Sequence, residues 1–138
     1  MRHHSCTTDR KLIKALVKRS LPVDCSKGRT LFNQGDTSEG LFLLERGEAV
    51  LEMKSDAGQA VLCLEARSGS LLGLPGVIAN EPYTLTAFVR DGSTVSFIRR
   101  QDFEQTLQEE PGLFPSILQI LAAEVHSVRR AIARPRAH

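Results

Sequence analysis

The run Ser68-Gly69-Ser70-Leu71-Leu72-Gly73-Leu74-Pro75-Gly76-Val77, followed after a short connection by Pro82-Tyr83-Thr84-Leu85-Thr86-Ala87, carries the backbone chemistry of an anion pocket. Its glycines and early proline suit a strand that runs into the first turn of a short helix, where exposed amides attract negative charge. The side chains point the other way. Between Gly69 and Val89 there is no Arg, Lys or His, and Glu81 is the only acid. Recognition then falls to the amides around Gly73 and Gly76 and to Tyr83 and Thr84 as polar anchors. The lining is made apolar by Leu72, Leu74, Val77 and Leu85.

Other reactive residue types are scattered. His3, His4 and Cys6 have metal-ligand identities but crowd the N-terminus, and His126 and His138 stand on a helix and in a tail. Metal chemistry in a β-rich chain needs His and carboxylate ligands on facing strands, which are missing, so no metal or cofactor is expected. Cys63 lies in Val61-Leu62-Cys63-Leu64 and reads as core packing. No Ser/His/Asp arrangement suggests itself, so the chain is not expected to be an enzyme. Three cysteines without a CxxC spacing suit a reducing compartment. No signal-like or membrane-length apolar run is present, which predicts a cytoplasmic protein.

These residues must be positioned by a chain of 138 residues, enough for one domain with a core of its own. Hydrophobic residues make up 41% and charged ones 25%, with a net charge of +2. The bases gather at the two ends: Arg2, Arg10, Lys11, Lys14, Lys18 and Arg19 at one, Arg129, Arg130, Arg134 and Arg136 at the other. They alternate with apolar helical positions and read as solvated helix faces.

Residues 1–20 read as an N-terminal helical segment capped at Thr8 or Asp9, with Leu12, Ile13, Leu16 and Val17 as its apolar stripe. Residues 21–100 read as a β jelly roll. Its candidate strands are 30–34, 41–45, 48–54, 59–66, 83–90 and 94–99, with turns at Asp56-Ala57-Gly58 and Asp91-Gly92. Residues 101–134 read as two helices, about 102–108 and 115–133, before a tail at 135–138.

In the longer helix Phe114, Leu118, Leu121, Val125, Val128 and Ile132 recur at alternating spacings of four and three, the seam of a coiled coil. Glu124 and Arg129 fall on the flanking sites that pair between parallel chains, which predicts a homodimer. The alternative is a helix lying on its own barrel.

A further stretch, Gly28-Arg29-Thr30-Leu31-Phe32-Asn33-Gln34-Gly35-Asp36, continues through Gly40-Leu41-Phe42-Leu43-Leu44 to Gly47-Glu48. It ties two buried strands through a loop too polar for core. The same stretch closely resembles the cyclic-nucleotide-binding domain, the sensor domain of Crp/Fnr-type transcription regulators, over about residues 21–133. The resemblance implies a mainly β, double-stranded β-helix (jelly roll) sensor domain with an N-terminal helix and a long C-terminal dimerisation helix.

Members that bind cyclic AMP carry Phe-Gly-Glu, a short helix and Arg-Ser/Thr-Ala, the Glu meeting the ribose and the Arg the cyclic phosphate. By that resemblance Leu72 replaces the Phe and Leu74 the Glu, while Tyr83, Thr84 and Leu85 stand at the Arg, Ser/Thr and Ala positions. A phosphate beside these leucines loses water without a charged replacement, at a cost on the order of a few kcal/mol. Ordinary cyclic AMP binding is therefore not expected unless Arg67 or Arg90 reaches in. The altered pocket either takes a less polar small-molecule effector or is filled by its own side chains.

Only Ala133-Arg134-Pro135-Arg136-Ala137-His138 follows Ile132, so this chain alone is not expected to read DNA sequence through the family's winged helix-turn-helix. The expected role is a sensor module. Its alternative is a ligand-free interaction module that pairs with itself or with longer relatives.

Overall fold

The computed structural model describes residues 9–133, with side chains described to residue 130. His3, His4, Cys6, the tail from Arg134 and the side chain of Ile132 lie outside the described residues.

Helix α1 (Arg10–Val17) starts at Asp9, whose carboxylate accepts from the Leu12 amide at 3.0 Å. Such a cap satisfies an amide that the first turn leaves without a partner. Eight strands follow the helix: β1 (Leu21–Val23), β2 (Arg29–Phe32), β3 (Gly40–Arg46), β4 (Glu48–Lys54), β5 (Ala60–Arg67), β6 (Ser70–Leu72), β7 (Thr86–Val89) and β8 (Thr94–Arg99). Helix α2 (Leu74–Ala79) interrupts them after β6, and α3 (Arg100–Glu109) and α4 (Phe114–Ala133) close the chain around a short 3-10 turn at Pro111–Leu113.

The strands form two four-stranded antiparallel sheets, ordered β1-β8-β3-β6 and β2-β7-β4-β5. This is the jelly roll expected from the pattern of short strands and turns. The hairpin between β4 and β5 turns at Gly58, whose φ of 81° suits glycine. One short strand escaped the sequence pattern, β1, while β6, also three residues long, is the strand expected to run into the short helix. Leu21-Pro22 ends the run of α1 but also opens β1.

The first sheet is buried on both faces. Leu41, Leu43, Leu71 and Ile98 join α1, α3 and the start of α4 in one core, with Phe103, Ile117 and Ile120. Leu44, Leu72 and Val95, from alternate positions of the same strands, face the inside of the roll and meet Leu51, Leu64, Ala87 and Val89 of the second sheet. In β5 the alternation places Leu62, Leu64 and Ala66 inside and Cys63 outside. Cys63 is therefore exposed rather than part of the core, and Cys25 is the buried thiol.

Candidate functional site

The glycine-rich stretch becomes β6, a tight corner at Gly73 and the short helix α2, with Pro75 in its first turn. Gly73 has φ 91°, and a Cβ there would stand 2.8 Å from Cε1 of Tyr83. Both the left-handed backbone and the ring above it require glycine.

Tyr83 fills the space over this corner. Its ring stacks on Phe32 with centroids 4.0 Å apart, and its hydroxyl donates to the Gly40 carbonyl at 2.5 Å. Burial pushes its phenol pKa up. Its main chain is held too: the Tyr83 amide donates to the Asp36 carbonyl and its carbonyl accepts from Gly35.

Behind α2 stands Arg100, the first residue of α3. Nη1 donates to the Val77 carbonyl at 2.7 Å, while Nη2 reaches the Ser38 carbonyl and the Ser38 hydroxyl. Ser38 Oγ donates its one proton in turn to the Glu81 carbonyl at 2.6 Å, with the Gly76 carbonyl at 3.2 Å. A guanidinium with several donors in a fixed fork suits such a junction. Arg100 was missed in the sequence because a base just after a strand reads as a solvated end.

On the roll side of α2 lies a cavity of about 30 Å³. Leu72, Gly73, Gly76, Tyr83, Thr84 and Leu85 line it, as the sequence grouped them, and Pro75 joins them. Leu74 does not. It is fully buried in the helical core on the other side of the first sheet. The reason is the corner at Gly73, which sends consecutive residues Leu72 and Leu74 into different cores. Arg67 and Arg90 stay outside, both exposed, and Arg90 faces Glu48 at 3.5 Å.

The cavity is closed by α4, which adds Glu124, Ser127 and Val128 to its wall. Phe114, Leu118 and Val125 are exposed, while Leu121 packs on the helical core and Val128 on the roll core. The heptad reading thus mixes two faces of one helix. Glu124 lines its own chain's cavity instead of standing on the outer stripe, and Arg129 is exposed. The Glu124 carboxyl has no hydrogen bond or ion pair among the described residues. Loss of water alone pushes its pKa from 4.5 to about 7.

Among the described residues no three His, Cys, Asp or Glu side chains gather as a metal site, and no helix is long and apolar enough to cross a membrane.

Among the described residues the architecture is an eight-stranded jelly roll with a glycine-cornered helix, closed by a long C-terminal helix. Residues 22–110 match the family described as the cyclic nucleotide-binding domain, and the chain belongs to that family. Over 117 residues it is 27% identical to the transcriptional activator protein FnrA of Stutzerimonas stutzeri, which covers 85% of this chain and 47% of that protein. The chain spans about half the length of that curated relative.

Solved structures share the fold at lower identity. Oxidised CprK in complex with o-chlorophenolacetic acid superposes with a TM-score of 0.77 at 16% identity, over 96% of this chain and 55% of that one. The c-di-GMP-responsive regulator CLP of Xanthomonas campestris gives 0.75 at 18%, over 91% and 62%. The sensor domain of the regulator DNR of Pseudomonas aeruginosa gives 0.67 at 18%, over 94% and 87%.

Proposed function

We propose that this chain is a Crp/Fnr-type sensor module whose cassette has lost the usual cyclic AMP contacts and whose effector is another small molecule. The observation that carries this reading is the Tyr83 ring lying over Gly73, in a cavity that no Arg or Lys lines among the described residues. A cyclic phosphate brought there meets a ring face, Leu72 and Leu85 in place of a bidentate guanidinium, which is the strong form of phosphate contact. Each ~1.4 kcal/mol so lost weakens binding about tenfold. Among proteins of the same fold, CprK is described in complex with o-chlorophenolacetic acid and CLP as c-di-GMP-responsive, which supports a changed specificity on a kept scaffold.

In this reading the protein works as a cytoplasmic homodimer through α4, with Phe114, Leu118 and Val125 as the outer seam. The effector acts by favouring one setting of α4 over another, which requires different affinities for the two.

The small cavity favours a second reading, a ligand-free pairing module that modulates longer Crp/Fnr-type regulators. At ~10–15 Å³ per water, the enclosed space takes about two waters. Thermal-shift and calorimetric screening with cyclic AMP, cyclic GMP and a metabolite panel separates the two. Stabilisation by a non-nucleotide metabolite is the expected result. Stabilisation by cyclic AMP overturns the altered-pocket argument, and no hit at all favours the pairing module.

A further inference from the structure

Among the described residues the cavity between the roll and α4 has one charge-bearing group in its wall, the Glu124 carboxyl, and it is an acid where a phosphate site needs a base. Around it stand Phe32, Leu51, Leu64, Leu72, Pro75 and Leu85. The other titrating group in the lining is Tyr83, whose hydroxyl is already given to Gly40. Charged side chains on the adjoining elements face away. Glu52, Glu65 and Arg67 alternate with the inward Leu51, Leu64 and Ala66, and His126, Arg129 and Arg130 are exposed on α4.

Resting on the sensor reading above, we propose that the effector of this pocket is a compact apolar amine, held by its ammonium group against the Glu124 carboxylate. A lone carboxyl in an apolar wall has two ways out of its desolvation cost: to keep its proton, or to find a cation. Desolvation by the wall alone favours the first, and an ammonium ligand supplies the second. On binding, Glu124 gives its proton to solvent and the ammonium keeps its own, so the bound pair is carboxylate and ammonium. The hydrocarbon body then sits against the leucines. An anion gains none of this. The distal part of α4 moves outward to admit any body larger than about two waters, so occupancy and helix position are coupled by volume.

The test uses the whole chain and three probes of one shape: benzylamine, benzyl alcohol and benzoate, titrated calorimetrically at pH 6 and pH 8. With the Glu124 pKa near 7, benzylamine should bind about tenfold tighter at pH 8 than at pH 6 and release close to one proton at pH 6. Proton release is read from the dependence of the binding heat on buffer, which needs no variant. Glu124→Gln keeps the shape of the uncharged side chain and should bind the amine at least tenfold more weakly, without the pH dependence. Equal binding of benzyl alcohol or benzoate, or no proton release, overturns the amine assignment and leaves the sensor reading standing. If none of these probes, no cyclic nucleotide and no panel metabolite binds, the sensor reading itself falls and takes the amine with it.

Discussion

The two halves of α4 contact the same molecule under opposite terms. In the first, Ile117 and Ile120 are almost fully buried against Leu12, Leu16 and Phe103, and Ser116 is tied to the capping Asp9 of α1. In the second, the contact with the roll is made by Val128, half-buried, and by Glu124, a carboxyl that ionises at a cost. One half is anchored by apolar area and the other only rests on the roll. A helix built this way can hold its base still while its far end responds to what lies beneath it.

The largest effect should come from the anchored half. Ile120→Ala is expected to lower the unfolding free energy by about 2–5 kcal/mol, against within ~0.5 kcal/mol for Val125→Ala on the exposed stripe. Chemical denaturation of both variants measures the difference, and equal costs would erase the contrast between the halves.

A smaller effect should appear in the pH dependence of stability. The folded-state pKa of Glu124 is raised above its ordinary 4.5 to about 7, so the folded protein binds more protons than the unfolded chain in that window. Stability should therefore fall as pH rises through it, by on the order of a few kcal/mol, and then level off. Asp9 and Glu109, held below their usual values by hydrogen bonds from Ser116 and Arg19, act in the opposite sense at lower pH. In Glu124→Gln the decline between pH 4.5 and 7 should vanish. A decline that persists there would mean the distal half is better solvated than its geometry says.

The smallest change in monomer stability, within ~0.5 kcal/mol, is expected for Leu118→Lys on the outer stripe. Its effect belongs to association: light scattering should report a dimer for the unmodified chain and a monomer for the variant. A monomer in both would remove the stripe from the comparison.

Much of this contrast was hidden in the sequence for one physical reason, namely that a single period was laid on a helix with two apolar faces. The spacing that links Phe114, Leu118 and Val125 on the outside is matched by the buried Leu113, Ile117 and Ile120, which the heptad left unused. Glu124, next along that inner face, also falls on a flanking position of the heptad, so its place in the cavity wall leaves no separate signal in the spacing. Cys63 went astray similarly, because an unbroken apolar run hides the alternation that turns every second residue outward. The β4–β5 hairpin was legible since both its alternation and its turn glycine are local signals. So were Gly73, Gly76, Tyr83 and Leu85 as one site. Arg100 was not, because its partners are the carbonyls of residues 38 and 77, and carbonyls leave no trace in residue type.

That arginine has a mechanical consequence. One guanidinium joins the loop at Ser38, the end of α2 and the start of α3, as a rivet joins three plates. Plates fixed at one point share their displacements, so a push on α2 is delivered to α3 rather than lost in the loop. The molecule is in this sense a stiff frame with one compliant arm, and the frame is fastened on the side of α2 away from the cavity.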